Sequence, residues 1–241
     1  MTEPIDRRYL VVIPTYNEAA NIIDVIHRLR TAQPNIDILV VDDNSPDGTG
    51  KLTDSMADSK TFVLHRANKS GLGPAYLAGF NWGISRHYDF YVEMDADGSH
   101  QPEELKQLLS KATSADLVLG TRWMAGGSVV NWPLHRRLIS RFGTKYAAVA
   151  LGLPYRDLTS GYRVLSRQLI ESILRSDLQT LGYGFQIEIV RLAVQNDFRV
   201  VEVPITFTER VAGTSKMSRK IVFEAFWMTT SWGLQRVFNR R

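Results

Sequence analysis

Two aspartates separated by one alanine, Asp95-Ala96-Asp97, follow the apolar run Phe90-Tyr91-Val92. Residues i and i+2 at the end of a strand project to one side about 6 to 7 Å apart. Two carboxylates held so close repel each other unless a cation sits between them. Mg²⁺ or Mn²⁺, which favour oxygen and are satisfied by two carboxylates plus diphosphate oxygens, are the natural occupants. A pair of solvated turn aspartates is the alternative, since this short pattern is common in turns. His100 and Gln101 stand close by, and His100 reads as a loop or helix-entry residue rather than a ligand.

Two more polar clusters close apolar runs upstream: Thr15-Tyr16-Asn17-Glu18 after Tyr9 to Pro14, and Asp42-Asp43-Asn44-Ser45 after Ile36 to Val41. Thr61 to His65, Asp89 to Met94 and Leu117 to Thr121 also read as strands, with helical patterns between them. Such alternation predicts a mostly parallel sheet covered by helices, and the unbroken Ile38-Leu39-Val40-Val41 suits a strand buried on both faces. In open sheets of this kind ligands bind beyond the carboxyl ends of the strands, so clusters at three such ends form one site. After Arg122 come a Gly-rich loop at Ala125 to Ser128, a basic helix from about Pro133 to Ala150 and a turn-rich stretch from Pro154 to Gly161. A helix near Gln186 to Gln195, a strand near Arg199 to Pro204, a loop from Thr208 to Met217 and a final helical segment complete the chain. No linker interrupts it, which predicts a single domain over 1–217, with a nucleotide and metal half over 1–121 and an acceptor half over 122–217. Residues 218–241 form a C-terminal amphipathic helix.

Composition narrows the partners. At 241 residues, 44% of them hydrophobic, the chain can bury a substantial core. Cysteine is absent, so a metal here takes oxygen or imidazole ligands. Met1 to Arg8 lacks the length and order of a signal peptide, which leads us to expect a cytoplasmic location. No run of about 18 apolar residues reads as a membrane-spanning helix. A net charge of +4 suits an anionic partner without choosing among lipid phosphate, nucleotide, membrane and nucleic acid.

The dinucleotide fingerprint Gly-x-Gly-x-x-Gly and the phosphate-binding Gly-x-x-x-x-Gly-Lys-Ser/Thr are both missing. Instead the first strand runs into Pro14-Thr15-Tyr16-Asn17-Glu18, and the second into Asp42-Asp43-Asn44-Ser45-Pro46-Asp47-Gly48-Thr49. In that order, the two resemble the nucleotide-holding motifs of the inverting family-two glycosyltransferases, whose fold is the Rossmann-like α/β GT-A fold. The resemblance implies that Pro14, Tyr16 and Glu18 line the base and ribose pocket, with Asp42 accepting from base N–H groups and Asp43 nearby. For Asp47-Gly48-Thr49 a tight turn and helix cap is the competing role. Asn68 to Ala75, which includes Lys69 and Gly73, follows the third strand and opens a helix whose free N–H groups can receive an anion. Asp95 and Asp97 correspond to the family's metal-binding pair, with Ala96 against the sugar nucleotide. Some relatives carry Gln as a further ligand where this chain has Ser99.

Later motifs narrow the resemblance. Gly120-Thr121-Arg122-Trp123, Trp132 to Arg141, Asp157 to Arg163 and Thr208 to Lys216 look like those of the dolichol-phosphate or polyprenol-phosphate mannosyltransferases. By that likeness Arg122, Arg136, Ser140 and Arg210 grip a lipid phosphate, and Lys216 lies beside the diphosphate or acceptor. Guanidinium groups pair with phosphate oxygens through parallel hydrogen bonds, and Arg136 and Ser140 at i and i+4 share one helical face. Arg137 and Arg141 read as a solvated basic face. The implied reaction moves mannose from GDP-mannose to a polyprenyl phosphate with inversion, at the cytoplasmic face of a membrane. A phosphate acceptor is already anionic, so orientation and charge neutralisation replace a dedicated general base.

Ser218 to Arg241 interleaves Phe223, Phe226, Trp227 and Phe238 with Arg219, Lys220, Arg236 and Arg240, a mixture that suits a membrane surface. A core-packing or oligomer-forming helix is the other reading. Some relatives carry membrane helices after this point or depend on a membrane-embedded partner protein. Two alternatives to the mannosyl reading are the same fold transferring glucose or another hexose, and a non-catalytic nucleotide- or nucleic-acid-binding module. The acidic clusters argue against nucleic acid as a partner, because they would repel its phosphates.

Overall fold

A computed structural model describes residues 7–178, 180, 182, 184–210 and 219–238. Its elements in chain order are β1 (Tyr9–Thr15), α1 (Ile22–Ala32), β2 (Asp37–Asp42), α2 (Thr49–Asp54), β3 (Thr61–His65), α3 (Leu72–Ile84), β4 (Phe90–Glu93) and α4 (Leu105–Ala112). They continue with β5 (Leu117–Thr121), β6 (Ser128–Val130), α5 (Leu134–Leu151), β7 (Arg163–Ser166), α6 (Arg167–Arg175), α7 (Gly184–Gln195), β8 (Val200–Pro204), β9 (Thr206–Thr208) and α8 (Arg219–Phe238).

Seven strands form the main sheet in the order β3-β2-β1-β4-β7-β5-β8. Only β7 runs against its neighbours, inserted between β4 and β5. The expected mostly parallel sheet is therefore present, and the reversed strand is an addition to it. Side chains alternate across the sheet as a period of two requires. Leu10, Val12, Leu39 and Val41 join one core layer with α3, α6 and α7. Val11, Ile13, Ile38 and Val40 join the other with α1 and α4. Because β1, β2 and β4 are parallel in register, their carboxyl ends lie side by side, and the polar clusters after them come together.

Helix α8 packs onto the domain. α8 buries Trp232 (4% exposed) and Thr229 (1%) against α5 and α7. Tyr146 stacks on Phe226 at 4.9 Å and shares a 2.6 Å hydroxyl hydrogen bond with Thr230. Among the described residues no helix is long and apolar enough to cross a membrane.

Helix α3 rests on the sheet through bare glycine. A Cβ on Gly83 would stand 2.4 Å from Tyr91 Cε1 and 2.8 Å from Leu10 Cδ2. Gly83→Ala is expected to cost about 1–3 kcal/mol through overpacking. Gly143, inside α5 with nothing within 4 Å of its added Cβ, should gain about 0.5–1 kcal/mol on becoming Ala. Urea unfolding of the two variants checks both signs.

Candidate active site

The loops after β1 and β2 are tied to each other before any ligand arrives. Asp42, 2% exposed, accepts from Thr15 Oγ1 (2.8 Å), Ser45 Oγ (2.5 Å) and Ser45 N (3.1 Å). It is a structural hub of the pocket floor as well as an acceptor, for a carboxylate can take about four hydrogen bonds. Asp43 accepts from Arg66 Nη1 (2.6 Å) and from the Ser70 backbone N–H (3.3 Å). Burial raises its pKa above the ordinary carboxylate value, with Arg66 opposing that rise. Asp47 serves the turn and cap: it accepts from Ala19 N, Thr49 N and Thr49 Oγ1, and Thr49 Oγ1 in turn receives the Glu18 backbone N–H at 2.9 Å. Glu18, buried, accepts from Asn21 Nδ2 at 2.9 Å.

Pro14 and Tyr16 follow at the rim, half-buried. Lys69 Nζ lies 4.0 Å from the centre of the Tyr16 ring, so the loop after β3 reaches across to the loop after β1. Gly73 has a packing role: a Cβ there would meet Phe185 Cδ2 at 2.9 Å and the Thr180 carbonyl at 3.3 Å.

Asp95 and Asp97 leave β4 as expected, and each is fixed by the turn that follows. The Asp95 backbone N–H donates to His100 Nδ1 (3.0 Å), and the Ser99 backbone N–H donates to Asp97 Oδ1 (3.0 Å). Ser99 also accepts from the Thr208 backbone N–H at 3.1 Å, which ties this turn to β9. His100 is fully buried, stacked on Tyr162 at 4.8 Å and edge-on to Phe207 at 5.3 Å. Its burial lowers its pKa and keeps the ring neutral, able to accept at Nδ1. Sequence reasoning saw a loop histidine here, whereas the structure shows a buried residue that positions Asp95.

Burial first, then the negative charge of Asp97, hold the Asp95 pKa well above the ordinary carboxylate range, with Arg210 opposing. Arg210 Nη2 stands 3.4 Å from Asp97 Oδ2, a positive charge already drawn to the pair. No cluster of three or more His, Cys, Asp or Glu side chains converges on one point among the described residues. A cation here would thus take two carboxylates and complete its shell with ligand or water oxygen. The donor set fits Mg²⁺ or Mn²⁺.

Beneath the pair lies a buried ionic cluster, in which Arg163 closes the motif Asp157 to Arg163 and Glu93 carries no local signal of its role. Glu93 and Arg163 are both fully buried, with Arg163 Nε 3.9 Å from Glu93 Oε2. Burial pushes the Glu93 carboxyl up to about 7 despite Arg163. Arg163 also donates to the carbonyls of Leu158, Ser160 and Gln186 at 2.7–2.8 Å, pinning the turn before β7 and the start of α7. That turn carries Gly161, where an added Cβ would stand 3.6 Å from Asp95 Oδ1.

Two of the four expected acceptor residues flank Trp132, and a third, Arg210, joins them through Glu209. Arg122 and Arg136 lie 5.6 Å and 4.1 Å from its ring centre. Arg136 and Arg210 both contact Glu209, which places them on the two sides of one carboxylate. Arg122, 7% exposed, is held bidentately by Asp157 at 2.7 and 2.8 Å and donates to Thr159 Oγ1 at 2.9 Å. The indole N–H groups of Trp123 and Trp132 are buried there without hydrogen-bond partners among the described residues. Ser140 lies one turn after Arg136 in α5, as its spacing implied. Lys216 lies outside the described residues. Asp157 and Glu209, which hold the arginines, sit inside the quoted motifs but carried no sequence sign of that role.

A mostly parallel sheet that gathers acidic clusters at its carboxyl edge and faces them with arginines defines a GT-A glycosyltransferase. The family model for glycosyl transferase family 2 matches residues 10–174, and the chain belongs to that family. It is 48% identical over 238 residues to the polyprenol monophosphomannose synthase of Mycolicibacterium smegmatis, covering 97% of this chain and 90% of that protein. It is 50% identical over 229 residues to the undecaprenyl-phosphate mannosyltransferase of Micrococcus luteus, covering 94% of each. Glucosyl-3-phosphoglycerate synthase of Mycobacterium tuberculosis, solved with Mn²⁺, UDP-glucose and phosphoglyceric acid, shares the fold. Its TM-score is 0.68 at 20% identity, over 95% of this chain and 80% of that one.

Replacing Arg163 with Met should cost about 3–5 kcal/mol by leaving the carbonyls of Leu158, Ser160 and Gln186 without their donor and Glu93 without its positive neighbour. Adding Glu93→Gln should recover part of that loss. Chemical denaturation of the single and double variants measures the coupling.

Proposed function

We propose that this protein transfers mannose from GDP-mannose to a polyprenyl phosphate with inversion, and so makes a lipid-linked mannose at the surface of a membrane. The observation that carries the reading is the pairing of an acidic, cation-fitting donor side with an arginine-rich acceptor side, in a chain about half identical to two polyprenyl-phosphate mannose enzymes.

Tyr16 and Lys69 close over the base and ribose, Asp42 and Asp43 shape the pocket floor, and Asp95 and Asp97 approach the diphosphate. A divalent ion bound there supplies Lewis-acid neutralisation of the departing nucleoside diphosphate. On the other side Arg122, already oriented by Asp157, presents a rigid guanidinium that needs little reordering to meet a phosphate. Arg136 and Arg210 add positive charge once the acceptor phosphate competes for them with Glu209. The acceptor oxygen is anionic before it reacts, so the arginines orient it for attack on the face opposite the leaving group. No proton has to be removed in that step. The buried indole N–H groups of Trp123 and Trp132 are further donors beside Arg122.

A membrane location is supported by the outer surface. On α5, Leu134, Ile139, Phe142 and Val149 are 65–71% exposed. On α8, Phe223, Trp227, Val237 and Phe238 are 59–68% exposed. Large apolar side chains this exposed on two packed helices are the kind of surface that marks an interaction or membrane-contact site. Lipid headgroups and acyl chains are its expected cover, with α5 and α8 lying in the plane of the interface.

Transfer of labelled mannose from GDP-mannose to a polyprenyl phosphate in detergent tests the reaction, run with Mg²⁺ or Mn²⁺ and then with chelator. A chelator-sensitive mannolipid is expected. Product from another sugar nucleotide but none from GDP-mannose would overturn the donor. Asp95→Ala and Asp97→Ala should each lower kcat by a hundredfold or more, on the order of 3 kcal/mol of lost transition-state stabilisation. Arg136→Ala should raise KM for the lipid phosphate while leaving KM for the sugar nucleotide near its original value. Steady-state kinetics with each substrate varied in turn separates the two effects.

A further inference from the structure

A cavity of about 480 Å³ lies between α5 and the segments carrying Trp123 and Tyr155, a size at which small organic groups are buried. Trp123, Leu138, Phe142, Ala148 and Tyr155 give it apolar walls. Arg141, Lys145 and Arg156 supply its charge, and among the described residues no carboxylate lines it. Glu202 pairs with Arg156 at 3.2 Å, whereas Arg141 and Lys145 contribute their charge from α5. Apolar walls beside cations match an amphiphile with an anionic head.

The two ends of the cavity identify that amphiphile. Trp123 lies between two arginines: its ring centre is 5.6 Å from the Arg122 guanidinium and 5.7 Å from that of Arg141. One side of the cavity is therefore a single aromatic ring away from the acceptor arginine. Leu138 and Phe142 line the cavity and are also 47% and 71% exposed, so its other side opens onto the apolar surface of α5. Between Leu138 and Ala148 the helix advances about 15 Å, room for the first few isoprene units of a prenyl chain.

We propose that this groove binds the head-proximal isoprene units of the acceptor and guides its phosphate to Arg122, with Arg141 and Lys145 at the level of the anionic headgroups. The inference rests on the prenyl-phosphate reading above. It adds that the protein itself recognises the chain, so that acceptor length matters even without a bilayer.

The test uses soluble prenyl phosphates of one, two and three isoprene units, each below its micelle concentration, with GDP-mannose and neither detergent nor vesicles. KM should fall about tenfold or more from one unit to three, since the two added units bring ten carbons and burying the equivalent of even two methylene groups is worth about that much in affinity. Ala148→Trp, which fills the groove, should abolish the gain from lengthening the chain. A three-unit phosphate with a photoreactive group on its last isoprene should label peptides containing Leu138 to Ala148 or Tyr155, a readout independent of turnover and of how Ala148→Trp folds. Equal KM for one and three units, or labelling confined to α8, would overturn the groove while leaving the transferase reading intact. Failure of every prenyl phosphate both to accept mannose and to label the protein would remove the two together.

Discussion

Two carboxylates held side by side at the end of β4 are the constraint around which this molecule is organised. Like charges at that spacing are unfavourable, and the surroundings are built to hold them anyway. His100 and Ser99 fix the backbone turn, Arg210 approaches Asp97, and the buried Glu93–Arg163 pair locks the floor beneath. Arg163 uses three of its donors on carbonyls from two different segments, so the acidic pair, the turn carrying Gly161 and the start of α7 move as one body. Burial and the neighbouring Asp97 charge raise the Asp95 pKa, and a cation placed between the two carboxylates would relieve their repulsion.

Across the crevice the logic is reversed, with arginines held by carboxylates. Asp157 fixes Arg122 bidentately in a buried setting, while Glu209 joins Arg136 to Arg210 at a half-exposed edge. The first arrangement sets geometry, and the second can exchange partners at lower cost because water reaches it. Arg210 touches both sides through Asp97 and Glu209, which links the charge state of the donor side to that of the acceptor side. Helix α5 extends the same economy outward. Its first turn carries Arg136 to Trp132 and Glu209, and its outer residues form an apolar surface beside that of α8.

Much of this was legible in the sequence because parallel strands buried on both faces declare themselves as apolar runs. Ile38 to Val41 and Leu117 to Leu119 are fully buried, as their composition required. The acidic clusters were legible because polar residues closing such runs have one place to go. β7 was hidden: Arg163-Val164-Leu165-Ser166 is short, begins with a charge and leads directly into α6, so its pairing with β4 and β5 comes from tertiary context. The ion pairs were hidden for another reason. Arg122 and Asp157 are 35 residues apart and Arg136 and Glu209 are 73 apart, distances over which periodicity says nothing about contact. His100 reads as a loop residue in sequence because its neighbours are polar, and only the packing of Tyr162 and Phe207 around it reveals a buried role.

We propose that the carboxylates beyond β4 form a cation site completed by the nucleotide diphosphate. Mn²⁺ binding followed by electron paramagnetic resonance, with and without GDP, examines this site without acceptor or turnover. Mn²⁺ should bind weakly to the protein alone and at least tenfold tighter with GDP, and Asp95→Ala and Asp97→Ala should each lose that gain. Mn²⁺ affinity that is indifferent to GDP, or unchanged when either aspartate is removed, would show that no such site exists.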